Sequence, residues 1–307
     1  MANTVNKVTE YLKTVMDDVI EQESKTSALQ ADPQIIRAAN SAGTVDIATV
    51  TTTSLGDYNA GYAAANGTIT WAPYALTHDR SAVFDIDRRE ENETGGVFSA
   101  TKVAAEFMKT QVVPEIDATR IAAIVSAASA VGHVNNTYTA SSQSAGIGYN
   151  RILSVLGDAL DAVFDDTGKD EGLVIYMDPT AISALRNTTE ISKTRELTSG
   201  QRTLDLDTMQ LDGNQIVKMP KNRMYSALSY NSASSASGYS NNGVEVFFAV
   251  ATPGYAQGVV AFEAPKFIAK EINQTADADR YAYRIFHDCF VPAEKRVGFY
   301  ACIAKSG

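Results

Sequence analysis

The chain has 307 residues, with 26 Lys+Arg against 36 Asp+Glu, a formal charge of −10 and 45% hydrophobic residues. Such a chain can bury a core, which excludes wholesale disorder, while 2 cysteines and 3 histidines exclude a disulfide framework and leave little for a metal cluster. The acidic balance also argues against gripping nucleic acid by counterion release, which needs clustered Lys and Arg.

Residues 1–23 contain no unbroken apolar run and no small-residue cleavage site. No window reaches the ~18 consecutive apolar residues of a membrane helix, so a soluble protein made in a cytoplasm, with no membrane partner, is expected. Val5, Val8, Leu12, Val15 and Val19 recur at 3-4-3-4 spacing and predict a helix, docked either on its own core or on a neighbouring subunit. Asp32-Pro33 marks a loop or a fresh helix start, and Gly43 ends that stretch.

From Thr44 to Ile86 the pattern is β-like. Val45, Ile47 and Thr49 alternate with Asp46 and Ala48, and Gly56–Gly67 reads as a turn or loop. Two more strands are predicted at Ile69–Leu76 and Ala82–Ile86, with Thr77-His78-Asp79-Arg80 as the turn between them. The region is long and weakly hydrophobic, which suits an extended excursion. Glu90, Glu91 and Glu93 precede Gly95-Gly96 and then a long helical run, with Val103, Phe107, Val112, Ile116, Ile121, Ile124 and Val125 at helical spacing. Pro114, Glu115 and Asp117 resemble a helix first turn. One kinked helix or two collinear ones of roughly 30 residues, ~45 Å, follow.

Gly132–Gly148 reads as a polar loop, Tyr149–Phe164 as an amphipathic helix closed by Gly168, Leu173–Met177 as a strand and Ala181–Arg186 as a helix. Residues 188–215 are polar, and Tyr225–Gly243 has the Ser/Asn/Gly composition of a surface loop. Strands are expected at Val244–Ala249, Gly258–Ala261, Phe267–Glu271, Tyr281–Val291 and Arg296–Ala304, so the fold class is α+β.

Catalytic motifs are missing: Gly168-Lys169 is followed by Asp170 rather than Ser or Thr, and no nucleophile elbow, His-Glu-x-x-His or Cys-x-x-Cys occurs. No catalytic residue, cofactor or metal site is therefore expected. The pairs Asp85/Asp87, Asp205/Asp207 and Asp277/Asp279 read as surface carboxylates, and His78, His133 and His287 as separate structural histidines. A hairpin of Tyr281–Val291 with Arg296–Ala304 would hold Cys289 and Cys302 ~13 Å apart, too far for a bridge, so both are expected as buried free thiols.

Three stretches, LTHDRSAVFDIDRREENET, VVPEIDATR on the long helix and RIFHDCFVPAEKRVGFYA near the end, resemble in order and spacing the major capsid protein of tailed bacteriophages. That family has the Hong Kong 97-type fold. The likeness rests on Asp79, Arg80, Phe84 and Asp87, on Pro114, Glu115 and Asp117, and on Arg284, His287, Asp288 and Lys295. It implies an N-terminal arm (1–45), an extended loop (46–94), a peripheral domain with a spine helix (95–131 and 258–307) and an axial domain (132–257). Gly95-Gly96 would form either the hinge between loop and spine or a simple loop at the helix start.

The resemblance further implies a non-enzymatic shell protein that partners itself in hexamers and pentamers. The shell would be assembled in a host cytoplasm, become part of the virion and enclose double-stranded DNA without sequence-specific binding. A portal protein and a separate scaffold would be its other partners. The alternatives are an encapsulin-like nanocompartment shell and a surface-layer or adhesin subunit. Deleting residues 57–67 should leave the circular dichroism of the chain folded while preventing assembly in electron micrographs; loss of folding would place the segment in the core.

Overall fold

Alternation in the Thr44–Thr52 segment puts Val45 and Ile47 on one face and Asp46, Ala48 and Val50 on the other, and the segment forms strand β2. β2 pairs antiparallel with β3 (Gly67–Ala75), and β1 (Ile36–Ala38) adds to the base of β2 with Ile36 opposite Ile47. The computed structural model describes residues 23–32, 34–38, 43–54, 66–87, 100–136, 147–186, 209–211, 213–231, 238–268, 272–273 and 278–304. The predicted helix over Val5–Val19, Gly95-Gly96 and most of 188–215 lie outside these residues.

β4 (His78–Asp87) leaves this sheet and pairs with β13 (Ala278–Phe290), which in turn pairs with β12 (Gln257–Ile268). The predicted turn at Thr77–Arg80 is thereby corrected: the link is Leu76–Thr77, and His78, Asp79 and Arg80 already lie in β4. These polar residues tolerate a strand because β13 supplies partners for them, His287 opposite His78 and Arg284 for Asp79. The tip of the β2–β3 hairpin therefore falls between Thr52 and Gly67. Gly258–Ala261 and Phe267–Glu271 are expected as two strands; Gly258–Ala261 and Phe267–Ile268 belong to one strand, β12, whose register shifts between Glu263 and Lys266, and 269–271 lie outside the described residues. Pro265 sits in that shift, where its missing N–H costs no ladder bond.

A further sheet is six-stranded, in the order β5 (Val134–Asn135), β14 (Phe299–Ile303), β11 (Val246–Ala251), β6 (Val174–Met177), β8 (Asn214–Lys218) and β7 (Met209–Leu211). β6 and β11 are buried at every residue, which explains their unbroken apolar runs. Ile175, Met177, Phe248 and Val250 face the core built by α3 (Ile147–Thr167) and α4 (Pro179–Arg186). Val174, Tyr176, Ala249 and Ala251 face Ile121 and Ile124 of the long helix.

β14 joins this sheet instead of forming a hairpin with β13, because the 3-10 segment Ala293–Gly298 carries the chain across. The hairpin geometry used for the cysteines is thus overturned: Cys289 and Cys302 lie in different sheets, both buried and neither in a disulfide. The described strands of 258–304 accordingly divide between the β12–β13–β4 sheet and the six-stranded sheet. The Ser/Asn-rich segment also departs from a plain loop, since β9 (Leu228–Tyr230) and β10 (Tyr239–Asn241) pair within it.

The long helix is α1 (Ala100–Phe107), a π turn (Met108–Val112) and α2 (Val113–Ala130) in succession. Pro114 cannot donate to Thr110, and the wider π turn just ahead of it absorbs the lost bond without ending the helix. Ile124, fully buried between helix and sheet, should cost about 2–5 kcal/mol when replaced by Ala. Urea unfolding of Ile124→Ala against the parent chain measures this.

Candidate functional site

Every residue from Val112 to Ile121 is buried, although this stretch holds Glu115, Asp117 and Arg120. A helix enclosed on all sides must find a partner for each charge it carries. Glu115 and Thr119, four residues apart, share one side of α2. Arg80 Nε donates to Glu115 Oε1 at 2.8 Å, and His287 Nε2 lies 3.2 Å from the same oxygen. The Arg80 guanidinium also donates to the carbonyls of Asn231, at 2.9 Å, and Gly238. Thr119 Oγ1 and the Tyr230 hydroxyl are 2.8 Å apart.

One carboxylate therefore joins α2 to β4, to β13 and to the β9–β10 segment. Burial works against the ionised Glu115, but the hydrogen bond and charge of His287, with the charge of Arg80, hold its carboxyl below the usual range. Gly238 allows this approach: a Cβ there would run into Glu115 Oε2. Burial also pushes the Tyr230 phenol up to about 12, so it stays neutral in this cluster.

Asp117 works on the other side of the helix. It accepts from Ser24 Oγ and Thr26 Oγ1, both at 2.7 Å, from the Lys25 N–H at 3.2 Å and from Arg223 Nη1 at 2.8 Å. Arg120 donates to Thr26 O at 3.1 Å and to Gln30 Oε1, and burial pushes its guanidinium down despite the nearby Asp117. Leu29 is fully buried between these anchors, and Ala31 N–H donates to Gly258 O at 3.0 Å. Gly258 must be glycine, since a Cβ would stand 2.5 Å from Arg120 Nε. The expected arm 1–45 is thus fastened to its own chain over 24–31, by Asp117, which the sequence singles out, and by Arg120, which it does not.

Two further charge pairs are cross-strand and half-exposed. Arg284 forms a two-pronged bond with Asp79, at 2.9 and 2.7 Å, and Arg280 with Asp85, at 2.7 and 2.9 Å; exposed pairs of this kind contribute little stability each. His78 and His287, read from sequence as separate, stack with ring centroids 5.4 Å apart, and Tyr230 covers His78 at 4.1 Å. Thr77 caps Asp288 through Oγ1 at 2.6 Å and N–H at 3.1 Å, and His78 Nδ1 lies 3.5 Å from the same carboxylate.

Arg80, Glu115 and His287 thus converge in one joint, with Asp79, Arg284 and Asp288 on the strands beside it. Asp117 anchors the opposite side, Pro114 follows the π turn, and Asp87 ends β4 away from the joint. Phe84 packs edge-on to Phe107 at 4.9 Å, and Phe107 to Tyr283 at 5.9 Å. These aromatic rings wall a groove of about 590 Å³ between β4 and the long helix, with Arg80 and Glu115 at its polar end. Arg120, Arg223, Tyr230 and Thr26 are the participants that the sequence reading missed. Asp85 finds an arginine, and among the described residues no group of His, Cys, Asp and Glu could hold a metal ion. The arrangement holds segments distant in sequence together.

No protein-family model and no curated protein matches the sequence. Solved structures do match. The chain is 17% identical to a structure described as Mycobacterium phage Che8, with a TM-score of 0.53 over 85% of each chain. It is 15% identical to the capsid structure of the cyanophage P-SCSP1u, with a TM-score of 0.56 over 88% of this chain and 86% of that one. It is 10% identical to the mature capsid of bacteriophage PhiM1, with a TM-score of 0.59 over 87% and 84%. The mixed α+β fold of this chain is therefore one found in phage capsid proteins.

Burial alone would push Asp288 up, but hydrogen bonds from His78, Thr77 and the Cys289 N–H outweigh it and hold the carboxyl at about 2. An unfolded aspartate titrates near 3.9, so this group stabilises the fold fully above about pH 4 and loses that contribution as pH falls toward 2. Over that interval the parent chain should lose on the order of 2 kcal/mol more than Asp288→Asn. Urea unfolding at stepped pH measures the difference.

Proposed function

We propose that the chain is the major capsid protein of a tailed phage, assembling with itself into an icosahedral head that encloses double-stranded DNA. The observation that carries this reading is the fold shared with phage capsid structures over 85 to 88% of the chain. In this reading the N-terminal arm and the β2–β3 hairpin reach neighbours. The long helix with the β12–β13–β4 sheet forms the peripheral part, and the six-stranded sheet with α3 and α4, now including β14, forms the axial part around the five- and six-fold axes. Gly95-Gly96 is the hinge between loop and helix.

A shell repeats a few heterologous contacts many times, so modest interfaces yield a stable particle. The net charge of −10 suits a wall that contains DNA delivered by a motor without binding it tightly. A portal protein and a separate scaffold are the other proposed partners, host cytoplasm the place of assembly, and a structural rather than enzymatic role follows. Purified protein should form hexamers, pentamers or closed shells by size-exclusion chromatography and electron microscopy. A monomer under every condition would sink the reading; shells filled with protein cargo would point to an encapsulin-like container, and flat arrays to a surface layer.

A further inference from the structure

Two Asn-Gly pairs occur in the sequence, Asn66-Gly67 and Asn242-Gly243. In such a pair the glycine nitrogen can close on the asparagine Cγ wherever the backbone is free to turn, because no Cβ stands in the way. The fold gives the two pairs opposite surroundings.

Asn66 and Gly67 are both exposed, where β3 begins and away from the buried base of the β2–β3 hairpin. Thr53 N–H donates to Asn66 O at 3.1 Å, and Asn66 N–H donates to Thr53 Oγ1 at 3.0 Å. Thr53 and Asn66 are therefore a bonded pair of the antiparallel ladder, and the next pair, Thr52 opposite Gly67, is a non-bonded one. The Gly67 N–H thus points away from β2, off a strand that is the edge of its sheet among the described residues. The fold also has no need of glycine here. Gly67 is not in the left-handed region, a Cβ on it would meet nothing within 4 Å, and glycine weakens a strand.

Asn242-Gly243 is clamped instead. Asn242 N–H donates to Ala227 O at 3.1 Å, Val244 N–H to Ser226 Oγ at 2.9 Å and Ser226 N–H to Val244 O at 2.9 Å. A Cβ on Gly243 would stand 2.3 Å from Ala227 N, so the backbone there lies hard against its neighbour and has no room to turn.

We propose that Asn66 is a self-modifying site. The Gly67 nitrogen gives up its proton to solvent and bonds to Asn66 Cγ, the bond from Cγ to the side-chain nitrogen breaks, and that nitrogen leaves as ammonia. Water then opens the succinimide ring at either carbonyl, leaving aspartate or isoaspartate. Both products add a negative charge to the hairpin. In isoaspartate the main chain runs through Cγ, and the carbonyl that accepts from Thr53 leaves the main chain as a free carboxylate, so this rung of the ladder is lost. The reaction requires only the folded subunit and is independent of the shell reading.

Peptide mass spectrometry of the full chain, sampled over days at mildly alkaline pH, reads the reaction directly. Asn66 should convert to aspartate and isoaspartate several-fold faster than Asn242. In urea, where neither pair is held, the two should convert at similar rates. Gly67→Ala, for which the fold has room, should slow conversion of Asn66 several-fold with circular dichroism unchanged. Equal rates at the two asparagines in the folded chain, or a folded Gly67→Ala chain that converts as fast as the parent, overturn the proposal. If Gly67→Ala does not fold, the comparison of Asn66 with Asn242 in the parent chain, folded and in urea, decides alone.

Discussion

A carboxylate loses several kcal/mol of hydration when it leaves water, and only a cation or several donors can make up the loss. The long helix buries two, Glu115 and Asp117, and the arrangement of the molecule follows from what each requires. Glu115 draws in Arg80 from β4 and His287 from β13, and through Arg80 it fixes the carbonyls of Asn231 and Gly238. Asp117 draws in the backbone and hydroxyls of 24–26 and the side chain of Arg223. Segments distant in sequence meet on one helix because each brings a group the helix lacks.

Around that helix the chain divides its apolar surface unevenly. The six-stranded sheet is covered on both faces, by α3 and α4 on one and by the second half of the long helix on the other. The hairpin of β2 and β3 receives cover only at its base, and its distal apolar residues remain in water. A chain that leaves Val50, Ile69 and Trp71 uncovered while burying four charged or polar residues of one helix is divided between a self-sufficient body and an extension. That division suits the assembly of identical copies proposed above.

Much of this was legible in the sequence wherever local periodicity decides structure. The long helix, the helices at Ile147–Thr167 and Pro179–Arg186 and the buried strands at Val174–Met177 and Val246–Ala251 follow the apolar pattern closely. Arg80, Glu115 and His287 stood out as residues, though nothing local said that they meet. Errors arose where long-range pairing overrode composition. Thr77-His78-Asp79-Arg80 reads as a turn until β13 supplies partners, and the polar 225–243 segment pairs as β9 and β10. The last two strands look like a hairpin because a short polar link separates them, yet that link is a 3-10 turn leading to another sheet. Thr26 and Arg223 were invisible for the same reason, since their role exists only opposite Asp117.

The central claim is that Glu115 and Arg80 act as one unit joining β4 to the long helix. A double-mutant cycle by urea unfolding, with Arg80→Ala, Glu115→Gln and the combination, isolates that coupling. The buried bond at 2.8 Å predicts an interaction energy of about 1–3 kcal/mol, because either change alone strands the other partner. Changes that add within about 0.5 kcal/mol would contradict it, and the joint would then be a contact of position alone.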